Sequence, residues 1–322
     1  MLKIAAWAVV AWGLLMGSAI AANVPGFPMR PIRFINPFPA GGSSDILARM
    51  LAAKVSESTG QSVVVDSRPG AGGNIGMELA AKAAPDGHTW VLGYVGTLAI
   101  NPALYGKVPY DPVKDFEPVS LLTASQLVLV VHPSLTPGTV PEFIKLAKGT
   151  SRLNYASGGS GTGPHLAAEL FKTTAGVDLQ HIPYKGSAPA MTDLLAGRVP
   201  IAFMPVLTAL PHINAGRLRG LGVTGPQRAK AAPQIPAIAE SLPGFDVRTW
   251  FGLLLPARTP PPLVAAVHAE TVKALNLPDV QDRLTSQGFE IVAGTPSDFG
   301  SYIRTESEKW ARVIRISGAR PD

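Results

Sequence analysis

The stretch Pro31-Ile32-Arg33-Phe34-Ile35-Asn36-Pro37-Phe38-Pro39-Ala40-Gly41-Gly42-Ser43-Ser44-Asp45 decides the fold. Its first eight residues read as a buried strand, which runs through prolines and two glycines into a segment with Leu47, Met50, Leu51 and Val55 on one helical face. Outward from it, Gln61 to Asp66 is β-branched and strand-like, Asn74 to Ala84 reads as a helix, and His88 to Tyr94 returns as a strand. A β-α-β-α-β unit with right-handed crossovers predicts a parallel sheet covered by helices on both faces.

The same grammar repeats downstream. Strand signals at Leu127 to Val131, Leu153 to Ser157, Leu179 to Pro183, Val199 to Met204 and Leu218 to Thr224 are interleaved with helix signals near Val140 to Lys148, from Gly163, and over Ser187 to Ala196. After a Pro-rich loop, Trp250 to Leu255 is a long apolar strand. Thr259 and Pro260 then open a helix to about Leu275, with Thr259 as the expected N-cap. Thr295, Pro296 and Asp298 open a last amphipathic helix whose core face is Phe299, Ile303, Trp310 and Ile314. One strand and two helices make a poor third domain, but they complete the first lobe if the chain crosses back to it. The expected organisation is therefore a discontinuous first lobe, 24–124 plus 248–322, and an inserted second lobe, 125–247, with a hinge at the two crossings. Two sequential domains divided near residue 135 are the alternative.

A length of 322 residues suits two lobes at about 150 residues per domain. Apolar residues make up 46% and charged residues 16%, which excludes a disordered or coiled-coil chain. The absence of cysteine removes disulfides, thiolate nucleophiles and zinc-thiolate sites. Residues 1–22 read as a secretory signal peptide: Lys3, an uncharged run from Ile4 to Ala22, and the small-residue exit Ala19-Ile20-Ala21. An uncleaved anchor is the alternative, because the run approaches the ~20 residues of a bilayer span; Gly13, Gly17 and Ser18 weaken it. The net charge of +6 carries no block of five or six basic residues, so no nucleic-acid partner is expected.

Two loops stand out chemically: Pro37 to Asp45, and Tyr155-Ala156-Ser157-Gly158-Gly159-Ser160-Gly161-Thr162-Gly163. Each joins a strand to a helix through glycines and hydroxyls. Glycines admit positive φ and close backbone approach, and the free amides of a helix N-terminus favour an anion. Two such loops on facing lobes would clamp a small carboxylate or phosphate, whereas either loop alone is more often an ordinary structural turn than a site. A third loop, Arg68 to Asn74, is an anion cradle or a capped helix start. Enzyme signatures fail: neither G-x-G-x-x-G nor the P-loop matches, and G-x-S-x-G is missed at Gly158-Gly159-Ser160-Gly161-Thr162, where Thr162 replaces the last glycine. The six histidines show no metal-ligand spacing. His165 is a capping residue or a ligand contact, and Lys185 is solvent-exposed or reaches a carboxylate.

The ordered motifs Pro37 to Gly42, Asp66 to Gly76, Pro85-Asp86-Gly87, Ile100-Asn101-Pro102, Tyr110-Asp111-Pro112, Tyr155-Ala156-Ser157, His165-Leu166 and Pro183-Tyr184-Lys185-Gly186 resemble the receptors of tripartite tricarboxylate transporters, the Bug receptors. The resemblance continues through Asp193 to Gly197 and Pro256 to Pro260. His88 and Trp90 depart from the family's usual residues, outside the loops. The resemblance implies an α/β, two-lobed, type II periplasmic-binding-protein-like (Venus flytrap) fold, each lobe a mostly parallel sheet flanked by helices. It further implies a periplasmic monomer without catalysis, metal or cofactor, which binds a di-, tri- or aromatic carboxylate and passes it to membrane permease subunits. A sensory receptor of the same fold and a secreted serine hydrolase are the alternatives. By position, it implies ligand contacts from Phe38, Ala40, Gly41, Gly42, Ser43 and Asp45 of the first loop, and from Gly96 and Thr97 after the third strand. On the second lobe it implies Ser157, Ser160, Gly161, Thr162, His165, Tyr184 and Lys185.

Overall fold

The computed structural model describes residues 27–150, 152–159, 161–184 and 186–320. The expected signal segment, Ser160 and Lys185 lie outside the described residues.

The chain opens with β1 (Ile32–Asn36), α1 (Ser43–Thr59), β2 (Val63–Ser67), α2 (Asn74–Ala81), β3 (Thr89–Tyr94) and the short α3 (Asn101–Leu104). The 16-residue β4 (Phe116–Val131) follows. Next come α4 (Val140–Gly149), β5 (Leu153–Ser157), α5 (Gly163–Ala175), β6 (Leu179–Pro183), α6 (Ser187–Leu195), β7 (Ile201–Pro205), α7 (Val206–Asn214) and β8 (Arg219–Val223). The chain ends with β9 (Arg248–Pro256), α8 (Pro261–Leu275), α9 (Pro278–Ser286), β10 (Glu290–Ile291) and α10 (Pro296–Ser317).

The strands follow the order β2-β1-β3-β9-β4-β7-β5-β6, with β8 and β10 also on β4. Each lobe has a parallel centre, β2-β1-β3 in one and β6-β5-β7 in the other. Strands β4 and β9 flank these centres antiparallel, an addition that crossover rules alone omit. Up to Gln126, β4 pairs with β9; from Leu127 onward it pairs with β7 and β8. Register shifts at Pro118/Ser120, Leu121/Thr123 and Leu129/Val130 let one long strand serve both twisted sheets.

Polar side chains lock the crossings. The Thr224 hydroxyl, fully buried, accepts from the Leu127 N–H at 2.9 Å and donates to the Val247 carbonyl at 2.6 Å, tying outgoing and returning strands together. Gln126 reaches both ways: its amide oxygen accepts from Gly225 N–H at 3.0 Å, and its amide nitrogen donates to Glu290 on β10 at 3.1 Å. On the far side, α10 covers β9. There Glu306 accepts from the indole N–H of both Trp250 and Trp310 at 3.1 Å, and Lys309 donates to the Asp246 carbonyl at 3.0 Å, just before the return crossing. The helix is capped by Thr295, whose hydroxyl accepts from Asp298 N–H, and its residues Phe299, Ile303, Trp310 and Ile314 are buried. Thr259 does not cap α8: its hydroxyl donates to the Pro256 carbonyl at 2.7 Å, and Pro260 is the N-cap residue.

Candidate functional site

A cleft of about 410 Å³ lies where β4 and β9 meet the two parallel centres. Its floor is Ser125, Gln126 and Leu127 of β4 with Thr249 and Phe251 of β9. One wall carries Ser43, Tyr94 and Gln287 to Phe289; the opposite wall carries Thr162 to Pro164, Ser187 and Pro205 to Thr208. The walls approach each other at two points. A Cβ on Gly161 would lie 2.6 Å from Cδ2 of Leu104, and one on Gly288 would lie 2.9 Å from Cγ of Leu207.

Four helices begin on this cleft: α1 at Ser43, α5 at Gly163, α6 at Ser187 and α7 at Val206. None has a side-chain cap. First-turn N–H groups have no partner within their own helix, and each helix end carries about half a positive charge. No Asp, Glu, Lys, Arg or His is among the described lining residues. The described lining side chains add no formal charge of their own, so the ends of α5, α6 and α7 favour an anion, while the end of α1 is offset by Asp45 in its first turn.

The loops are held in shape by their own side chains. In the first, Asp45 accepts from the Gly41 N–H at 3.0 Å and from Arg49 Nε at 2.9 Å, and the Phe38 N–H donates to Asn36 at 3.3 Å. The hydrogen bond from Arg49, with that from the Gly41 amide, outweighs burial and holds the Asp45 carboxyl below its usual range, so it is an anion tied to its own loop. Gly41 sits at φ +87°, which a glycine adopts without strain. In the second loop, the Gly159 N–H donates to the Ser157 hydroxyl at 3.1 Å, and Ser157 lies 2.6 Å from His181 Nε2. The Thr162 hydroxyl donates to the Gly159 carbonyl at 2.7 Å. The Gly161 N–H donates to His165 Nδ1 at 2.9 Å, and the His165 ring stacks on His181 with centroids 4.2 Å apart. Several amides expected to face a ligand are thus spent on shaping the turns, and the donors left for a guest are mainly those of the first helical turns.

Of the residues expected at the site, Ser43 and Thr162 line the cleft. Phe38 stands behind Tyr94, ring to ring at 5.6 Å. Ala40, Gly41 and Gly42 are exposed ahead of α1, outside the lining, and Asp45 is buried beneath them. Gly161 sits at the rim against Leu104, while Ser157 and His165 are buried in the scaffold of the second loop. Gly96 and Thr97 are buried in a wide helical turn, Gly96–Ile100, where the Thr97 hydroxyl bonds the backbone N–H and carbonyl of Tyr94. The Tyr184 hydroxyl donates to Asp193 at 2.8 Å, on a side chain that is not part of the lining. Sequence reasoning passed over Tyr94 and Phe251, which sit in segments read as strands, Phe289, which no pattern singled out, and the start of α7, where Pro205 and Pro211 obscure a helix. The floor residues Ser125, Gln126 and Thr249 flank the expected crossings, and that position was their available signal.

Residues 47–318 match the family model described as tripartite tricarboxylate transporter family receptor. The chain is 41% identical over 308 residues to the UPF0065 protein of the tcbD-tcbE intergenic region of a Pseudomonas species, a match spanning 95% of this chain and 91% of that one. It is 36% identical over 307 residues to protein BugT of Bordetella pertussis, covering 94% of each. A TctC solute-binding protein from Polaromonas superposes with a TM-score of 0.82 at 29% identity, covering 90% of this chain and 99% of that one. R. palustris Rpa4515 with adipate gives 0.76 at 35% identity over 92% and 100%. MatC from Rhodopseudomonas palustris with bound malate gives 0.72 at 32% over 89% and 100%.

Proposed function

Because the chain belongs to the tripartite tricarboxylate transporter receptor family, a family of binding receptors rather than enzymes, we propose that it captures a small organic carboxylate between its lobes in the periplasm and delivers it to membrane permease subunits. The observation that carries this reading is the convergence of four uncapped helix N-termini on a cleft whose described lining is uncharged. Adipate and malate in two relatives support a carboxylate as the guest. Residues 1–22 direct export in this reading and are removed. Residues 24–124 with 248–322 form one lobe and 125–247 the other; the exchange of sheet partners at Gln126/Leu127 and the return into β9 at Arg248 support these bounds.

Binding closes the cleft only to the extent that the acid prefers the closed state. Purified mature protein should therefore melt at a higher temperature with its acid present. At a hundredfold excess over Kd the gain is about 2.7 kcal/mol, or several degrees. A thermal-shift screen over di-, tri- and aromatic carboxylates tests this, and a melting temperature unmoved by the whole panel would overturn the reading.

A further inference from the structure

The two walls differ in chemistry. Three of the four helix ends, those of α5, α6 and α7, belong to the second lobe, whereas the first lobe contributes α1 and a line of aromatic rings. Tyr94 and Phe251 lie 5.2 Å apart at 36°, and Phe251 and Phe289 lie 6.0 Å apart at 70°. All three line the cleft, and Phe38 extends the row behind them. The rest of the lining mixes the apolar Leu127, Val206 and Leu207 with the hydroxyls of Ser125, Thr208 and Thr249. The Tyr94 hydroxyl makes no hydrogen bond to any described residue, and burial pushes its pKa up to about 12, so it remains a neutral phenol. No described lining side chain supplies a cation for a second or third carboxylate.

Resting on the receptor reading above, we propose that the ligand is an aromatic carboxylate. Its carboxylate lies on the helix ends of the second lobe, and its ring lies along Tyr94, Phe251 and Phe289 of the first. Ring pairs are favourable edge-to-face or offset at centroid distances of about 4.5–7 Å, and the existing row offers a guest ring that geometry. Along that row a hydroxylated tricarboxylate would instead set polar groups against ring faces, where they lose water without gaining partners.

Calorimetry on the mature chain with benzoate, 4-hydroxybenzoate and phenylacetate, against cyclohexanecarboxylate, adipate, malate and citrate, tests the proposal. At least one aromatic acid should bind tenfold or more tighter than malate and citrate. Phe251→Leu, and separately Phe289→Leu, should lower the preference for benzoate over cyclohexanecarboxylate by about fivefold. Binding of malate, adipate or citrate as tight as any aromatic acid overturns the proposal and leaves the receptor reading standing. An unchanged benzoate-to-cyclohexanecarboxylate ratio in both folded variants also overturns it. If no acid in the panel binds, the receptor reading falls and the proposal falls with it.

Discussion

Replacing Gly161 by alanine separates the stability of the second loop from the closure of the cleft. Gly161 holds φ +75°, a conformation that costs an L-residue about 1–2 kcal/mol whether the lobes are together or apart. That part lowers the melting temperature. The new Cβ would also stand 2.6 Å from Leu104 Cδ2, about 1 Å inside ordinary carbon contact. Leu104 is 8% exposed and sits in the largest core cluster, so its side chain has little room to retreat. Overpacking of this kind costs about 1–3 kcal/mol. Gly161 and Leu104 lie on opposite walls, so this second cost arises only where the walls meet and appears as lost affinity, roughly 5- to 100-fold at 1.4 kcal/mol per decade. Gly176→Ala is the control: it has φ +63° at the C-cap of α5, and a Cβ there meets nothing within 4 Å. It should lower the melting temperature and leave affinity unchanged. Calorimetry with the tightest-binding acid measures the difference, and Leu104→Val in the Gly161→Ala background should recover most of the lost affinity. Equal affinities for Gly161→Ala and Gly176→Ala, or no recovery with Leu104→Val, would refute the claim that the walls touch in the bound state.

Two further predictions concern the frame. Glu240 accepts from Arg228 Nε and Nη2 at 2.8 and 2.9 Å and from the Ala237 N–H at 2.9 Å, and these bonds, the Arg228 pair foremost, lower its pKa from 4.5 to about 2. A depressed carboxyl contributes stability that is complete above pH ~5 and disappears as pH falls through the folded value. The gap in melting temperature between the native chain and Glu240→Gln should therefore be open at pH 7 and close between pH 4.5 and 2; a gap independent of pH contradicts this. At Gly252, a Cβ would lie 2.0 Å from Phe299 Cζ in the core under α10. Gly252→Ala should cost about 1–3 kcal/mol or more in chemical denaturation, partly recovered by Phe299→Leu, and an unchanged denaturation midpoint would contradict the packing.

What could be read from the sequence was what local pattern encodes. Both strand-glycine-helix turns, the strands Leu153–Ser157 and Leu179–Pro183, and the Thr295 cap fall where residue chemistry alone puts them. The first half of β4 escapes such reading because Pro118, Ser120, Thr123 and Gln126 break its apolar alternation. Proline is tolerated there by the register shift beside it, and Gln126 is there to bridge Gly225 and Glu290. Strand direction is also invisible locally: β9 runs antiparallel to both of its neighbours, β3 and β4. The aromatic wall escapes for a different reason. Tyr94, Phe251 and Phe289 are largely buried, and nothing in a linear pattern separates a ring facing the core from one facing a closed cleft.

The proposed closure explains why neither side of the cleft would suffice alone. One exposed helix end stabilises an anion by about 0.3–1 kcal/mol in water, too little to retain it. Enclosure between two walls lowers the effective dielectric and strengthens the same partial charges several-fold. That enclosure requires the lobes to meet in one orientation, and the crossings supply it. Thr224 ties the outgoing to the returning strand, so the two crossings are bonded to each other and are not two separate linkers. Gln126 lines the cleft while bonded to Gly225 on one side and Glu290 on the other, so the junction between the two halves of the sheet lies on the floor of the cleft. In the proposed receptor a guest above this floor would touch the joint between the two halves of the sheet, and its contacts with α1 and the aromatic wall would form only as the first lobe came against the second.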